Sequence, residues 1–394
     1  MADNSKIEWT DASWTPIRAR NKATGKVGWH CEHVSPGCVN CYSERQNVAG
    51  FAGGTRVPFK PGHRADIELF LDEEMLTQPL RWKKPRVVFV CSMTDLFADF
   101  VPESWIDRVF AVMALSPQHT FIVLTKRAER MREYLTRPVQ GPWAGRMHHI
   151  DDAGRLTDST DAWRRVHDAL VEALPTTPPQ QLNLASQMQE PHGDGFMPRW
   201  PLPNVVLGVS GEDQERTDDR VTELLMTPAA VRIVSLEPLI ELVKVSHMLG
   251  SVWIETKPVD AQGAAMPSTR RDATNYKGLD GVILGGESGP GARPMHPDWA
   301  RSVRDQCAAA GVPFFFKQWG EYLPAVDREK DDPDWRFDYF IKYAERDGNR
   351  WLNLAGGRGL HGERFHVMRR VGKSAAGRRL DGREHNDLPW SLAK

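Results

Sequence analysis

The sequence predicts an α/β fold, a partial (β/α) barrel of about six parallel strands, and three observations carry that expectation. Short apolar runs recur along the chain, each run ends in a burst of polar or glycine residues, and amphipathic stretches separate them. Runs that are apolar throughout, rather than alternating, belong to strands buried on both faces, as in a parallel sheet. Strand and helix then repeat in the βα rhythm of a barrel, with a doubly wound open sheet as the structural alternative.

The runs come in order. Val87–Val90 leads into Cys91, Ser92, Met93, Thr94 and Asp95, and Phe121–Leu124 into Thr125, Lys126 and Arg127. Val205–Val209 leads into Ser210, Gly211, Glu212 and Asp213, and Val231–Val234 into Ser235, Leu236, Glu237 and Pro238. Val282–Leu284 leads into Gly285, Gly286, Glu287 and Ser288, and Phe314–Phe316 into Lys317, Gln318 and Trp319. Helices are expected over Trp105–Leu115, Ala128–Leu135, Asp213–Leu225 and Pro297–Ala310. In a barrel the polar bursts gather at the C-terminal mouth, where active sites form. Any one of these residues alone reads equally well as a helix cap or a satisfied turn. Six polar strand ends together point to an enzyme.

Two insertions break the rhythm, at about 138–203 and 246–279. The first holds an expected helix, Ala162–Leu174, and a Pro/Gln-rich stretch from Pro175 to Gln181; the second is polar and glycine-rich over Asp260–Lys277. Loops this long are usually functional lids or disordered. The barrel is expected over 1–325 and a small α+β extension over 326–394, with short strands at Tyr339–Tyr343, Trp351–Leu354 and Phe365–Met368.

Composition closes off several classes. The chain has 394 residues, 40% hydrophobic and 26% charged, enough for a core without disulfide staples. Lys plus Arg is 51 against 52 for Asp plus Glu, so no global charge argues for a polyanionic partner. No apolar run approaches the roughly 18 residues of a membrane span, and Met1–Trp9 is polar. A cytoplasmic protein without membrane contact is expected.

Three of the five cysteines, Cys31, Cys38 and Cys41, form a C-x6-C-x2-C cluster. Ser35-Pro36-Gly37 is turn chemistry, so the chain can fold back and aim three thiolates at one point. Two readings follow: an iron–sulfur centre, or a zinc site completed by His30 or His33.

The cluster, with Ile7-Glu8-Trp9-Thr10-Asp11, Ser35–Tyr42, Ser92–Phe97, Leu124–Arg127, Gly285–Gly289 and the tail Gly372–Arg378, resembles the radical S-adenosylmethionine (SAM) superfamily. It is most similar to a phage-borne branch with a three-cysteine motif. The resemblance implies a [4Fe–4S] cluster held by Cys31, Cys38 and Cys41, with one iron left open for the amino and carboxylate groups of SAM. Reduction by an external one-electron donor would cleave SAM to a 5′-deoxyadenosyl radical that abstracts hydrogen from substrate. The chain departs from the commoner superfamily pattern: six residues, not three, separate the first two cysteines, and Asn40 stands where many members carry an aromatic. Gly285-Gly286-Glu287 also lies at a late strand, while Ser92, Thr94 and Asp95 occupy the early position usually given to the SAM amino group.

Candidate SAM contacts are Tyr42, Ser92, Thr94, Asp95, Thr125, Ser210, Glu212, Gly285, Gly286 and Glu287; candidates for the catalytic work are Cys91, Lys126 and Glu237. Against these stand plainer roles. Cys91 reads also as a small buried hydrophobe and Cys307 as core. Lys126 and Arg127 read also as salt-bridge partners, and Tyr42 and Trp29 as packing around the cluster. The basic tail, with Arg369, Arg370, Lys373, Arg378, Arg379 and Arg383, is a candidate nucleic-acid contact or a solvated face. Together with the phage-borne resemblance it points to a nucleobase in DNA or a modified nucleotide as substrate, for example an amino-acid-bearing thymine rearranged after hydrogen abstraction. Such a protein would work in the host cytoplasm, alone or with a partner protein completing the site. Two other classes remain: a zinc-stabilised nucleic-acid-binding protein without catalysis, and a hydrolase using Asp95, Glu237 and Glu287 at the mouth.

Overall fold

The computed structural model describes residues 5, 7–50, 53–139, 148–150, 156–158, 160–173, 200–256, 272–327, 339–358 and 365–390. Its central sheet has seven parallel strands: β1 (Ala12–Trp14), β2 (Val87–Val90), β3 (Thr120–Thr125), β4 (Val205–Gly211), β5 (Val231–Leu236), β6 (Gly281–Gly285) and β7 (Phe314–Gln318). Each strand pairs with the next along the chain. A doubly wound sheet reverses its strand order at a switch point; this one never does, and it forms a half-barrel. The six apolar runs are β2 to β7. The added strand, β1, is Ala-Ser-Trp, too short to register as an apolar run.

Among the described residues the helices of two turns or more are α1 (Tyr42–Ala49), α2 (Glu103–Ala114), α3 (Ala128–Thr136), α4 (Asp161–Ala173), α5 (Gln214–Leu225) and α6 (Pro297–Ala310). Five of them lie within two residues of their expected bounds. The sixth, α1, has no apolar stripe in Tyr-Ser-Glu-Arg-Gln-Asn-Val-Ala and so gives no helical periodicity to find.

Continuous apolarity in the strands reflects two separate cores. Val88, Val90, Phe121, Val123, Leu207, Val234, Leu284 and Phe316 pack outward against the helices. Their alternates Val87, Ile122, Val206, Ile233, Ile283 and Phe315 form an inner layer with Trp9. Trp9 is 1% exposed, its ring 4.9 Å from Phe89 and 6.5 Å from Trp390. Leu388 packs on the same layer, and a Cβ at Gly281 would lie 2.8 Å from Pro389. Segments from opposite ends of the sequence thus seal the barrel base together.

The first insertion holds a hairpin, His148–Ile150 with Leu156–Asp158, and then α4. The second holds the antiparallel pair Ser251–Thr256 and Asp272–Lys277. The Pro175–Gln181 stretch lies outside the described residues. Beyond β7, Tyr322–Asp327, Asn349–Asn353 and Phe365–Arg370 form an antiparallel sheet with the last strand in the middle, so the sheet straddles residues 325 and 326. Trp351 and Phe365 are in strands as expected, but Tyr339–Lys342 is a short helix. Its apolar residues are continuous rather than alternating, a pattern that does not separate helix from strand. Among the described residues no helix is long and apolar enough to cross a membrane.

Because Trp9 closes the base, Trp9→Ala is expected to cost about 3–5 kcal/mol of unfolding free energy. A urea titration of the two proteins measures it.

Candidate metal centre

The cysteine loop begins where a small antiparallel sheet hands the chain to the barrel mouth. Ile17–Asn21 pairs with Val27–Gly28 on one side and Ile67–Leu71 on the other. A single buried amide, Asn47 of α1, fixes the exit of that sheet. Its Oδ1 accepts from the backbone N–H of Trp29 and Thr55 at 3.0 Å each, and its Nδ2 donates to Thr55 Oγ1 and the Val57 carbonyl. All four hydrogen-bonding positions of the amide are used, which holds α1 against the strand leading to Cys31. The loop then makes a 3-10 turn at Pro36–Cys38, and Cys41 is the N-cap of α1.

The three thiols share one electrostatic neighbourhood. Burial pushes the Cys31 thiol up to about 12, with Asp95, Cys41 and Cys38 adding to the rise and Arg127 opposing it. Cys41 is also raised by burial, against backbone N–H groups of Glu44 and Ser43 at the start of α1. Cys38 goes the other way: burial raises it, but the Lys126 ammonium, the Ser35 hydroxyl and backbone amides outweigh burial and lower it.

Side chains from four strand ends grip this loop. After β2, Thr94 Oγ1 donates to the His30 carbonyl at 2.6 Å, and the Ser92 carbonyl accepts from Tyr42 Oη and Ser43 Oγ. Asp95, also after β2, accepts from Thr125 Oγ1, the Lys126 amide and Arg127, which in turn donates to the Glu32 carbonyl beside Cys31 at 3.2 Å. After β3 and β4, Lys126 Nζ lies 3.6 Å from Cys38 Sγ and 3.7 Å from Glu212 Oε2, and Glu212 accepts from the Gly37 amide. After β6, Glu287 accepts from Asn40 Nδ2 and from Arg293, whose Nη2 donates to the Pro36 carbonyl at 3.0 Å. Of the residues singled out from the sequence as SAM contacts, Thr94, Glu212 and Glu287 hold the loop and the strand leading to it directly, and Asp95 and Thr125 brace the Lys126–Arg127 segment that does so. Asn47 and Arg293 carried no sequence signal, because an isolated polar residue in a loop or on a helix without periodicity has no distinguishing pattern; Asn40 stood out only as a departure from the superfamily motif.

The remaining candidates divide. Gly285 and Gly286 allow close packing: a Cβ at Gly285 would lie 2.6 Å from Glu237 Oε1, and one at Gly286 would lie 2.0 Å from the Trp319 carbonyl. Glu237 pairs with Lys317 at 2.9 Å and accepts from Ser235 Oγ. By strand alternation Ser210, Ser235, Gly285 and Lys317 continue the inner face above the apolar layer, giving the mouth a small, polar lining. Tyr42 is close enough to feel both Lys317 and Glu237. Cys91 is 3% exposed within the outer core, at φ 56°, and burial with the nearby Asp95 and Cys31 raises its thiol. Cys307 is fully buried on α6. The tail cations are largely engaged in the chain. Arg370 donates to the Gly289 and Pro290 carbonyls, Lys373 pairs with Glu8, and Arg378 and Arg369 lie over the rings of Phe315 and Tyr343.

The donor set discriminates between metals. Among the described residues, His296, Asp298 and His366 make up the one group of three or more histidine, cysteine or acidic residues whose ligand atoms all lie within 4.8 Å of one another. His33 pairs with Glu44 at 2.8 Å and His30 with Glu32 at 3.4 Å, so each imidazole has a carboxylate partner. The His296 group differs in kind. His296 Nδ1 accepts from the Asp298 amide at 3.1 Å as the N-cap of α6, so a neutral ring carries its proton on Nε2. That tautomer presents a proton, not a lone pair, and the group lies between α6 and the C-terminal sheet as a polar seam.

A protein-family model described as DUF5131, protein of unknown function, matches residues 4–389. The chain belongs to that family. The matched span runs through the cysteine loop, all four strand-end grips, both insertions and the basic tail, so the family pattern takes in the whole site. No curated protein and no solved structure matches the chain.

The Glu287 grip has a pH signature. Burial pushes its carboxyl up, but the Arg293 side chain and amide and Asn40 together hold it below the ordinary range. Its contribution is present above the unfolded value of about 4.3 and is lost as pH falls through the lower folded value. Glu287→Gln is expected to destabilise by about 2 kcal/mol at pH 7, with the gap closing below pH ~4. Urea unfolding of both proteins across that range checks it.

Proposed function

We propose that this chain is a radical SAM enzyme whose cluster is held by Cys31, Cys38 and Cys41. The observation that carries the reading is three mutually interacting thiols brought together at the mouth of a parallel half-barrel. Burial raises two of those thiols, and coordination to a cationic centre would deprotonate them. Three cysteines rather than four fit a cluster with one iron open to a ligand. When bound, the cluster and SAM would together supply a carbon radical able to take hydrogen from substrate.

The chain's own residues would position and shield. The grips of Asp95–Arg127, Lys126–Glu212 and Glu287–Arg293 fix the loop so that the sulfurs keep one geometry as a ligand enters. The Glu237–Lys317 pair, with Ser210, Ser235 and Tyr42, lines the inner mouth beneath the loop and offers both charge signs to a zwitterionic or polar ligand. For the substrate we favour a modified nucleobase in DNA, on the strength of the phage-borne resemblance and of the exposed Arg379 and Arg383 in the tail. The hydrolase reading is less well served: Asp95, Glu237 and Glu287 are each neutralised by their own cation, Arg127, Lys317 and Arg293.

After anaerobic purification and reconstitution, about four iron and four sulfide per chain are expected, lost in the Cys31→Ala, Cys38→Ala, Cys41→Ala variant. The reduced protein should release 5′-deoxyadenosine from SAM, faster with DNA carrying amino-acid-modified thymine. Zinc without iron overturns the reading, and release indifferent to every nucleic acid overturns the substrate.

A further inference from the structure

Lys126 stands apart from the other cations at the mouth because its charge is aimed at a sulfur. Its Nζ is 3.6 Å from Cys38 Sγ, and its side chain is 16% exposed, so solvent screens it little. The neighbouring carboxylate does not cancel it. Glu212 is fully buried and also pairs with Arg220 at 3.0 Å, so two cations share one carboxylate and a net positive charge is left beside Cys38. The other two sulfurs see a different field. Near Cys31 the cation Arg127 is matched by Asp95, and Cys41 faces first the neutral amides of Ser43 and Glu44, with Lys126 a lesser influence than at Cys38. The loop backbone also passes close over this pair: a Cβ at Gly37 would lie 2.8 Å from Lys126 Nζ and 3.0 Å from Glu212 Cδ.

We propose that Lys126 is a positioning residue that sets the reduction potential of the cluster, raising it through a charge-assisted hydrogen bond to the Cys38 sulfur. The inference rests on the cluster reading above and adds to it where the electrostatic control lies. One-electron reduction makes an iron–sulfur centre one unit more negative, and a fixed cation at a ligating sulfur favours that state. Net charge and hydrogen bonds to sulfur are the established levers on such potentials.

The test is a dithionite titration of reconstituted protein with redox mediators, followed by electron paramagnetic resonance, with iron and sulfide measured on every sample. Lys126→Met should lower the equilibrium constant for one-electron reduction at least tenfold, a fall of about 59 mV in midpoint for a one-electron couple. Lys126→Arg should stay close to the unsubstituted protein. Glu212→Gln should move the midpoint upward, since it removes the carboxylate that offsets the lysine. An unchanged midpoint in Lys126→Met with full iron content overturns the inference and leaves the cluster reading standing. If Lys126→Met fails to hold iron, Glu212→Gln decides: a rise supports the inference and no change overturns it. Absence of iron from the unsubstituted protein overturns the cluster reading itself, before any variant is compared.

Discussion

The cysteine loop has almost no core of its own, and everything at the barrel mouth depends on how it is held. Eleven residues from Cys31 to Cys41 contain two valines, both largely exposed, so hydrophobic burial cannot fix them. Hydrogen bonds from the barrel do it instead. Their donors and acceptors come from the ends of four different strands, and several are charged groups buried with their partners. Buried ion pairs are poor sources of net stability, because desolvation takes back much of the Coulomb gain. What they provide here is geometry: the Glu32 and Pro36 carbonyls are each held by an arginine that a carboxylate fixes in place.

This arrangement explains why the strand ends are polar without requiring each polar residue to touch a ligand. A barrel mouth concentrates functional groups, and a loop laid across that mouth must be satisfied by them. The carboxylates of Glu212 and Glu287 serve the loop directly and that of Asp95 through Arg127, whereas Glu237 pairs with Lys317 across two other strand ends.

Much of the scaffold was legible in the sequence, because its signals are local and repeated. Strands β2 to β7 announce themselves by apolar runs, and Pro297–Ala310 by a proline at its first turn and a glycine just past its end. The cysteine spacing with its Ser-Pro-Gly turn marked the site. Elements whose reason is tertiary were not legible. β1 is a strand because β2 pairs with it, and α1 is a helix because Asn47 and Glu44 bind the segments beside it. The use of Glu287 was hidden for the same reason: nothing in Gly-Gly-Glu-Ser tells that the carboxylate meets Arg293 and Asn40, the latter some 250 residues away in the chain.

The seal at the barrel base has a consequence for assembly. Trp9 and the cysteines leave the ribosome early, but the inner layer that Trp9 belongs to is completed by Phe315 in β7 and then covered by Leu388 and Trp390. Such a topology delays closure until nearly the whole chain is synthesised, and long sequence separation between contacting segments slows folding generally. For most of that interval the thiols emerge on a nascent chain whose base is still open. Emergence of the thiols and closure of the scaffold beneath them are thus separated in time, and the order of the two events is written into where Trp9 and Trp390 fall in the sequence.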